Sequence, residues 1–466
     1  MKKIKDAFKM FIRKVDYKDI IIFLIPFIFF GIYLIIFYPG VLSYDSYNQL
    51  HQIKEMTFNS SHPFFHTFIE MVLMKIINTP AMIGIFQISF FSILWSRICK
   101  YNRNKYNKLS LGYQILLTVI ICFNPLNKVL SITLWKDVLY SYMLLWFCFE
   151  MEKAIDKKFK LELKDVIKIS LMLAIIPNLR HNGYLITLLM SIILFIIFIV
   201  KDKKRYNYLK LAGFVVVFLL GFKGLNKLYN VDKGLSVTGI GSIIDYKMIA
   251  VTGEIGRYGN YTKEEATEID KYINFECMKR VSKYNLLDPL WLDCKGKPEI
   301  MEANKVNMYK TIFKMMSKNV WVSIRYFLKE WGYVWRIVRY KDSFGNINYL
   351  GIYSYNANEM LYRRPFERTF AYDLIYKYVI FSRENVIFQT VFYSGSLCLY
   401  LSILILIYLK KKEKVSMFLV FLPTLINTIG IALTASVNDV RYYYSNFLVL
   451  YLMGAILIKY WLNNEK

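Results

Sequence analysis

Apolar runs close to the length that crosses a hydrocarbon core recur along this chain, and a cluster of Lys and Arg follows every second one. So many runs cannot be covered by a water-soluble core, which points to a bundle of membrane-spanning helices. Hydrophobic residues make up 56% of the 466 positions while 20% are charged, so the two kinds must be segregated into blocks. The first run, Ile20 to Tyr38, has no small-residue cleavage pattern behind it and reads as a retained helix. Further candidates are Pro80 to Ser96, Leu109 to Phe123, Val138 to Met151, Val166 to Pro177, Gly183 to Val200, Leu211 to Leu225, Phe388 to Leu409, Val415 to Ala435 and Ser445 to Tyr460, about ten in all. The expected class is mainly α, a polytopic transmembrane bundle.

Basic residues set the orientation. They crowd the N-terminus (Lys2, Lys3, Lys5, Lys9, Arg13, Lys14, Lys18) and the segments Arg97 to Lys108, Lys153 to Lys168, Lys201 to Lys210 and Lys410 to Lys414. The loops between hold only isolated cations such as Lys54, Lys128, Lys136, Arg180 and Arg441. The positive-inside rule then puts both termini in the cytoplasm. It also explains the net charge of +27: the cations are spread over inner loops facing anionic membrane lipids, not gathered on one soluble face, so no nucleic acid partner is expected.

Residues 226–387 are too polar to cross and fall on the outer side, dividing the chain into a transmembrane module 1–225 with its first outer loop at 39–79, an extracytoplasmic domain 226–387 and a transmembrane module 388–466. Helical spacing prevails in the domain, with Thr262 to Glu265 as a capping box and an aromatic amphipathic stretch, Val320 to Val338, carrying Trp321, Trp331 and Trp335. Cys99, Cys122, Cys148 and Cys398 fall in or beside apolar runs, whereas Cys277 and Cys294 lie outside, where an oxidising compartment permits a disulfide. There is no HExxH, CxxC pair or Gly-rich phosphate loop, and four histidines give no recognisable metal set. No cofactor is expected, and a divalent ion on the Asp45 carboxylate is left open.

The outer loops carry the chemistry. Asp45 stands with Ser43, Ser46 and Gln49 where the first run ends, a dozen residues before His62-Pro63 and an amphipathic segment, Phe64 to Ile77, that suits the outer surface. Asp45 is either a helix cap or a base. In Trp135-Lys136-Asp137, Asp137 either caps a helix while Lys136 snorkels, or holds Lys136 for a phosphate. Asn178 to Gly183 follows a run that Pro177 ends early, so Arg180, His181 and Asn182 dip below the headgroups, and Arg180 is the best candidate to grip a lipid phosphate. Arg441, in Asn438 to Tyr444, reads as an interfacial anchor or a further phosphate ligand.

With these motifs in view, the chain resembles the GT-C superfamily of multi-pass glycosyltransferases that use polyprenyl-phosphate sugars. It is more closely similar to a family of bacterial membrane proteins of unassigned activity that share Pro39-Gly40, Ser43, Asp45-Ser46, Gln49, His62-Pro63, Trp135-Lys136-Asp137 and Arg180-His181-Asn182-Gly183. Stretches around Asp288-Pro289 and Glu330-Trp331-Gly332-Tyr333 add to the likeness. The resemblance implies a plasma-membrane enzyme that moves a sugar from polyprenyl phosphate to a cell-envelope glycan or glycolipid on the outer face. Asp45 matches the superfamily's catalytic acid, and Arg180 becomes the main phosphate ligand, helped by Lys136 and Arg441. His62, His181, Gln49, Asn182 and Asp137 would then orient the substrates. A second acid often follows the first in that superfamily; Ser46 stands here, which argues against metal assistance. A transporter or flippase of lipid-linked precursors would need polar groups along a path through the helices, and an envelope assembly protein would need no clustered acid and bases.

Overall fold

The computed structural model describes residues 16–105, 110–201, 206–232, 240–284, 290, 293–337, 365–409, 411–434 and 439–464, and among them it is α-helical with only two isolated β-bridges. In chain order the first helices are α1 (Tyr17–Ile36), α2 (Tyr44–Glu55), α3 (Phe64–Ile76), α4 (Ala81–Lys105), α5 (Leu111–Phe123), α6 (Pro125–Ser131), α7 (Lys136–Asp156), α8 (Leu163–Leu179), α9 (Gly183–Lys201) and α10 (Asn207–Leu228). A second group follows: α11 (Ile240–Tyr258), α12 (Lys263–Asp270), α13 (Phe275–Val281), α14 (Pro298–Ala303), α15 (Lys305–Lys318), α16 (Val320–Glu330) and α17 (Gly332–Trp335). The chain then returns as α18 (Phe370–Glu384), α19 (Val386–Tyr393), α20 (Gly395–Tyr408), α21 (Lys411–Thr434) and α22 (Tyr444–Asn464).

Helix α7 is the axis of the bundle. Tyr140, Tyr142, Leu144, Leu145, Phe147 and Cys148 are all buried, so it is covered on every side. Among the described residues five helices are long and apolar enough to cross a membrane, or seven if each bent pair counts as one span: α5 with α6, bent by 73°, and α19 with α20, bent by 59°. This is fewer than the ten runs expected. Helix α7 carries Glu150, Glu152 and Lys153 near its end, and α8 has 17 residues. Helix α8 also continues through Pro177 to Leu179 instead of ending at the proline.

Charged groups gather the helix ends at one pole. Lys100 and Arg103 of α4 pair with Asp19 of α1, Lys105 with Asp156 of α7, Lys153 and Lys168 with Glu150, and Lys157 with Asp165 of α8. The start of α1, the end of α4, the end of α7 and the start of α8 therefore share one pole, and successive helices run in opposite directions. The start of α7, the end of α8 and the approach to α22 meet at the other pole.

Helices α11 to α16 enclose a core of their own around Tyr246, Ile249, Met278, Met308, Ile312 and Tyr326. Thr262 and Glu265 cap α12 reciprocally, at 3.0 and 3.2 Å, as the spacing predicted. Cys277 and Cys294 form a disulfide with a Cα–Cα distance of 5.4 Å. The domain is narrower than the polar segment. Residues 226–228 complete α10, while Val379 of α18 joins the bundle core. Lys247 ties the domain to the bundle by pairing with Glu330 at 2.5 Å and donating to the Ala432 carbonyl of α21 at 2.8 Å. The Asp288-Pro289 stretch lies outside the described residues.

Candidate active site

Two segments far apart in sequence are stitched together to make the site. Val41 N donates to Ile132 O at 2.9 Å and Leu134 N to Val41 O at 3.1 Å, which pairs the loop after α1 with the loop before α7. Gly40 permits this approach: its φ is +117°, and a Cβ there would stand 2.9 Å from the Ile132 carbonyl. Ser46 Oγ adds a bond to Leu134 O at 2.7 Å, and the Trp135 indole donates to Ser43 Oγ. The pairing puts Asp45 and Lys136 on one wall. Gly183 does similar work at the start of α9, where a Cβ would lie 2.7 Å from Ile176 O.

Ser43, not Asp45, is the cap of α2; its N–H donates to Ser46 Oγ at 3.1 Å. Asp45 is free of the capping role and turns to Arg441, whose Nη1 lies 3.0 Å from Oδ2. His62 Nε2 stands 4.0 Å from the other oxygen. Lys136 meets His62 through Nδ1. An ammonium can only donate, so the imidazole proton sits on Nε2, facing Asp45. Asp137 does not cap α7 either, since Trp135 holds that position. It is buried and pairs with Arg180 at 3.0 Å and with Arg441 at 3.9 Å. Arg180, which closes α8, lies over the Tyr442 ring at 4.1 Å. Arg441 lies over the Trp135 ring at 4.5 Å, and its Nε is 3.2 Å from Asp439. His181 Nε2 is 3.3 Å from Ser60 O, and Asn182 donates to Asn427 at 3.2 Å.

These side chains line a cavity of about 360 Å³. Asp45, His62, Lys136, Asp137, Arg180, His181, Asn182 and Arg441 all reach it, and Tyr44, Asn48, Ser61, Thr434, Tyr442 and Ile243 of α11 complete the wall. Gln49 is the expected residue that does not. It is buried behind the wall, where its amide donates to His66 Nδ1 and Thr67 Oγ1, each at 3.0 Å. Asp439, Tyr442 and Asn427 were not singled out in the sequence, although the first two flank Arg441 within its motif.

Electrostatics follow from this packing. Burial raises the affinity of Asp45 for a proton, but Arg441, Lys136 and His62 outweigh it and hold the carboxyl well below the usual carboxylate range. Burial, and then the Lys136 ammonium, pull His62 down to about 3, so it is neutral at physiological pH. Lys136 therefore contacts a neutral partner, whereas both arginines face carboxylates. Among the described residues no group of three or more His, Cys, Asp or Glu forms a metal site. No family model matches the sequence, and no curated protein or solved structure is significantly similar to it.

Proposed function

We propose that this protein is a membrane glycosyltransferase of the GT-C kind, moving a sugar from a polyprenyl-phosphate donor to a cell-envelope acceptor on the outer face. One observation carries the reading: four separated motifs supply two carboxylates, Asp45 and Asp137, and three cations to a single sugar-sized cavity at the pole opposite the basic helix ends. A sugar on a lipid phosphate already has its leaving group, so the protein must supply a base and stabilise the departing phosphate. Asp45 takes the proton of the acceptor hydroxyl as its oxygen bonds to the anomeric carbon and the bond to the phosphate oxygen breaks. Lys136 is given the leading part in holding that phosphate because its direct contact is the neutral His62, whereas each arginine is directly paired with a carboxylate. Arg441 and Arg180 support it, and His62 fixes the Lys136 ammonium.

The alternation of helix direction and the Lys-rich inner pole support ten crossings with both termini cytoplasmic. A deletion strain tests the function. Its membranes should accumulate a polyprenyl-phosphate sugar, and its envelope should lack that sugar. The wild-type gene should restore both and Asp45→Asn neither; unchanged lipid-linked sugars would refute the proposal.

A buried polar seam bears on the rival reading, a flippase. Asn427 accepts from Tyr140 at 2.7 Å and donates to Ser445 at 3.1 Å, Thr428 meets Asn446 at 3.2 Å, and Tyr451 accepts from Asn124 at 2.9 Å. These groups lie where the sequence showed mostly plain apolar runs. They are hydrogen-bonded to one another, which suits interhelical glue better than a path.

A further inference from the structure

The candidate site holds an anion of its own. Lys136, Arg180 and Arg441 face Asp45, Asp137 and Asp439, three cations against three carboxylates, with His62 neutral. A phosphate gains little from a site with no net charge unless one carboxylate yields its partner. The three carboxylates differ in what yielding costs. The side chains of Asp137 and Asp439 are 2% and 9% exposed and would become bare buried charges, whereas that of Asp45 is 27% exposed and turns toward a wet cavity.

Arg441 is fixed by other contacts. Its Nε is held by Asp439 at 3.2 Å, its Nη2 donates to the Tyr442 hydroxyl at 3.2 Å, and its plane lies over Trp135. If Asp45 lets go, the guanidinium stays and only Nη1 is freed.

We infer that Asp45 occupies the phosphate position on Arg441, and that the donor phosphate displaces it, turning an inert ion-pair partner into a free base. This rests on the transferase reading. It makes the base available only once the donor is seated, because loss of the guanidinium restores the carboxylate's attraction for a proton.

Binding, not activity, tests it. The full-length protein in nanodiscs of neutral lipid is titrated with polyprenyl phosphate, with inorganic phosphate and with phosphatidylglycerol. Asp45→Asn removes the competing charge and should bind polyprenyl phosphate roughly tenfold more tightly than wild type. Adding Arg441→Gln should abolish that gain. Asp45→Ser serves if Asp45→Asn does not fold. Equal or weaker binding by the Asp45 variants, with wild-type binding intact, overturns the displacement and leaves the transferase reading standing. A gain with inorganic phosphate as well supports displacement by the phosphate group itself. Failure of wild type to bind polyprenyl phosphate, or an equal gain with phosphatidylglycerol, overturns the donor reading and the inference with it.

Discussion

Asp45 separates two kinds of role at the residue scale. Ser43 caps α2, so Asp45→Asn costs no cap and keeps a polar group toward Arg441. Transfer should nevertheless fall by about two to four orders of magnitude while the protein still folds and inserts; near-normal turnover would move the flippase reading ahead. His62 makes a prediction in pH. With its folded value at about 3, the unfolded chain binds the extra proton first as pH falls below the ordinary imidazole range. Its contribution to stability is therefore complete above about 6.5 and is lost progressively toward 3. Thermal midpoints of His62→Gln should fall less steeply over that window than those of wild type; parallel curves would mean that His62 binds its proton alike in the folded and unfolded chain. Asp45, Lys136, Arg180 and Arg441 were legible because a cation or an acid beside an apolar run has few cheap places to go. Their partners were not, since the pairing of Arg180 with Asp137 and of Arg441 with Asp439 depends on side-chain packing. Gln49 shared the motif of Asp45 yet lies one turn deeper along α2, where it is buried against His66 and Thr67 behind the cavity wall.

Loops do at the scale of elements what long helices cannot. The strand-like contact of Val41 with Thr133 fixes the distance between Asp45 and Lys136, and Gly40 makes it possible. Gly40→Val should place a side chain against the Ile132 carbonyl at a φ that L residues rarely adopt, costing at least about 1 kcal/mol locally. Polyprenyl phosphate binding should weaken while membrane insertion is retained; unchanged binding would show that the pairing is incidental. In the domain of α11 to α16, Cys277→Ser should cost about 2–4 kcal/mol, read as earlier unfolding of that domain alone. Apolar runs told where helices form but not how each is buried. Helix α7 carries charge near its end yet is buried on every side, and α18 falls in the polar segment yet packs on the bundle through Tyr372, which meets Phe37 at 4.9 Å, and Val379.

The whole molecule is asymmetric: basic helix ends gather at one pole, and the cavity and the disulfide-bonded domain at the other. The positive-inside rule then predicts that a cysteine replacing Asn260 reacts with an impermeant reagent added outside intact cells. Reaction only after the cytoplasm is opened would reverse the orientation. The most direct measurement is made on purified protein in liposomes loaded with a radiolabelled polyprenyl-phosphate sugar, following release of free polyprenyl phosphate together with labelled acceptor glycan. Wild type should yield the two products in equal amounts and Asp45→Asn almost none; movement of intact donor between leaflets, without cleavage and equal in both proteins, would contradict the account.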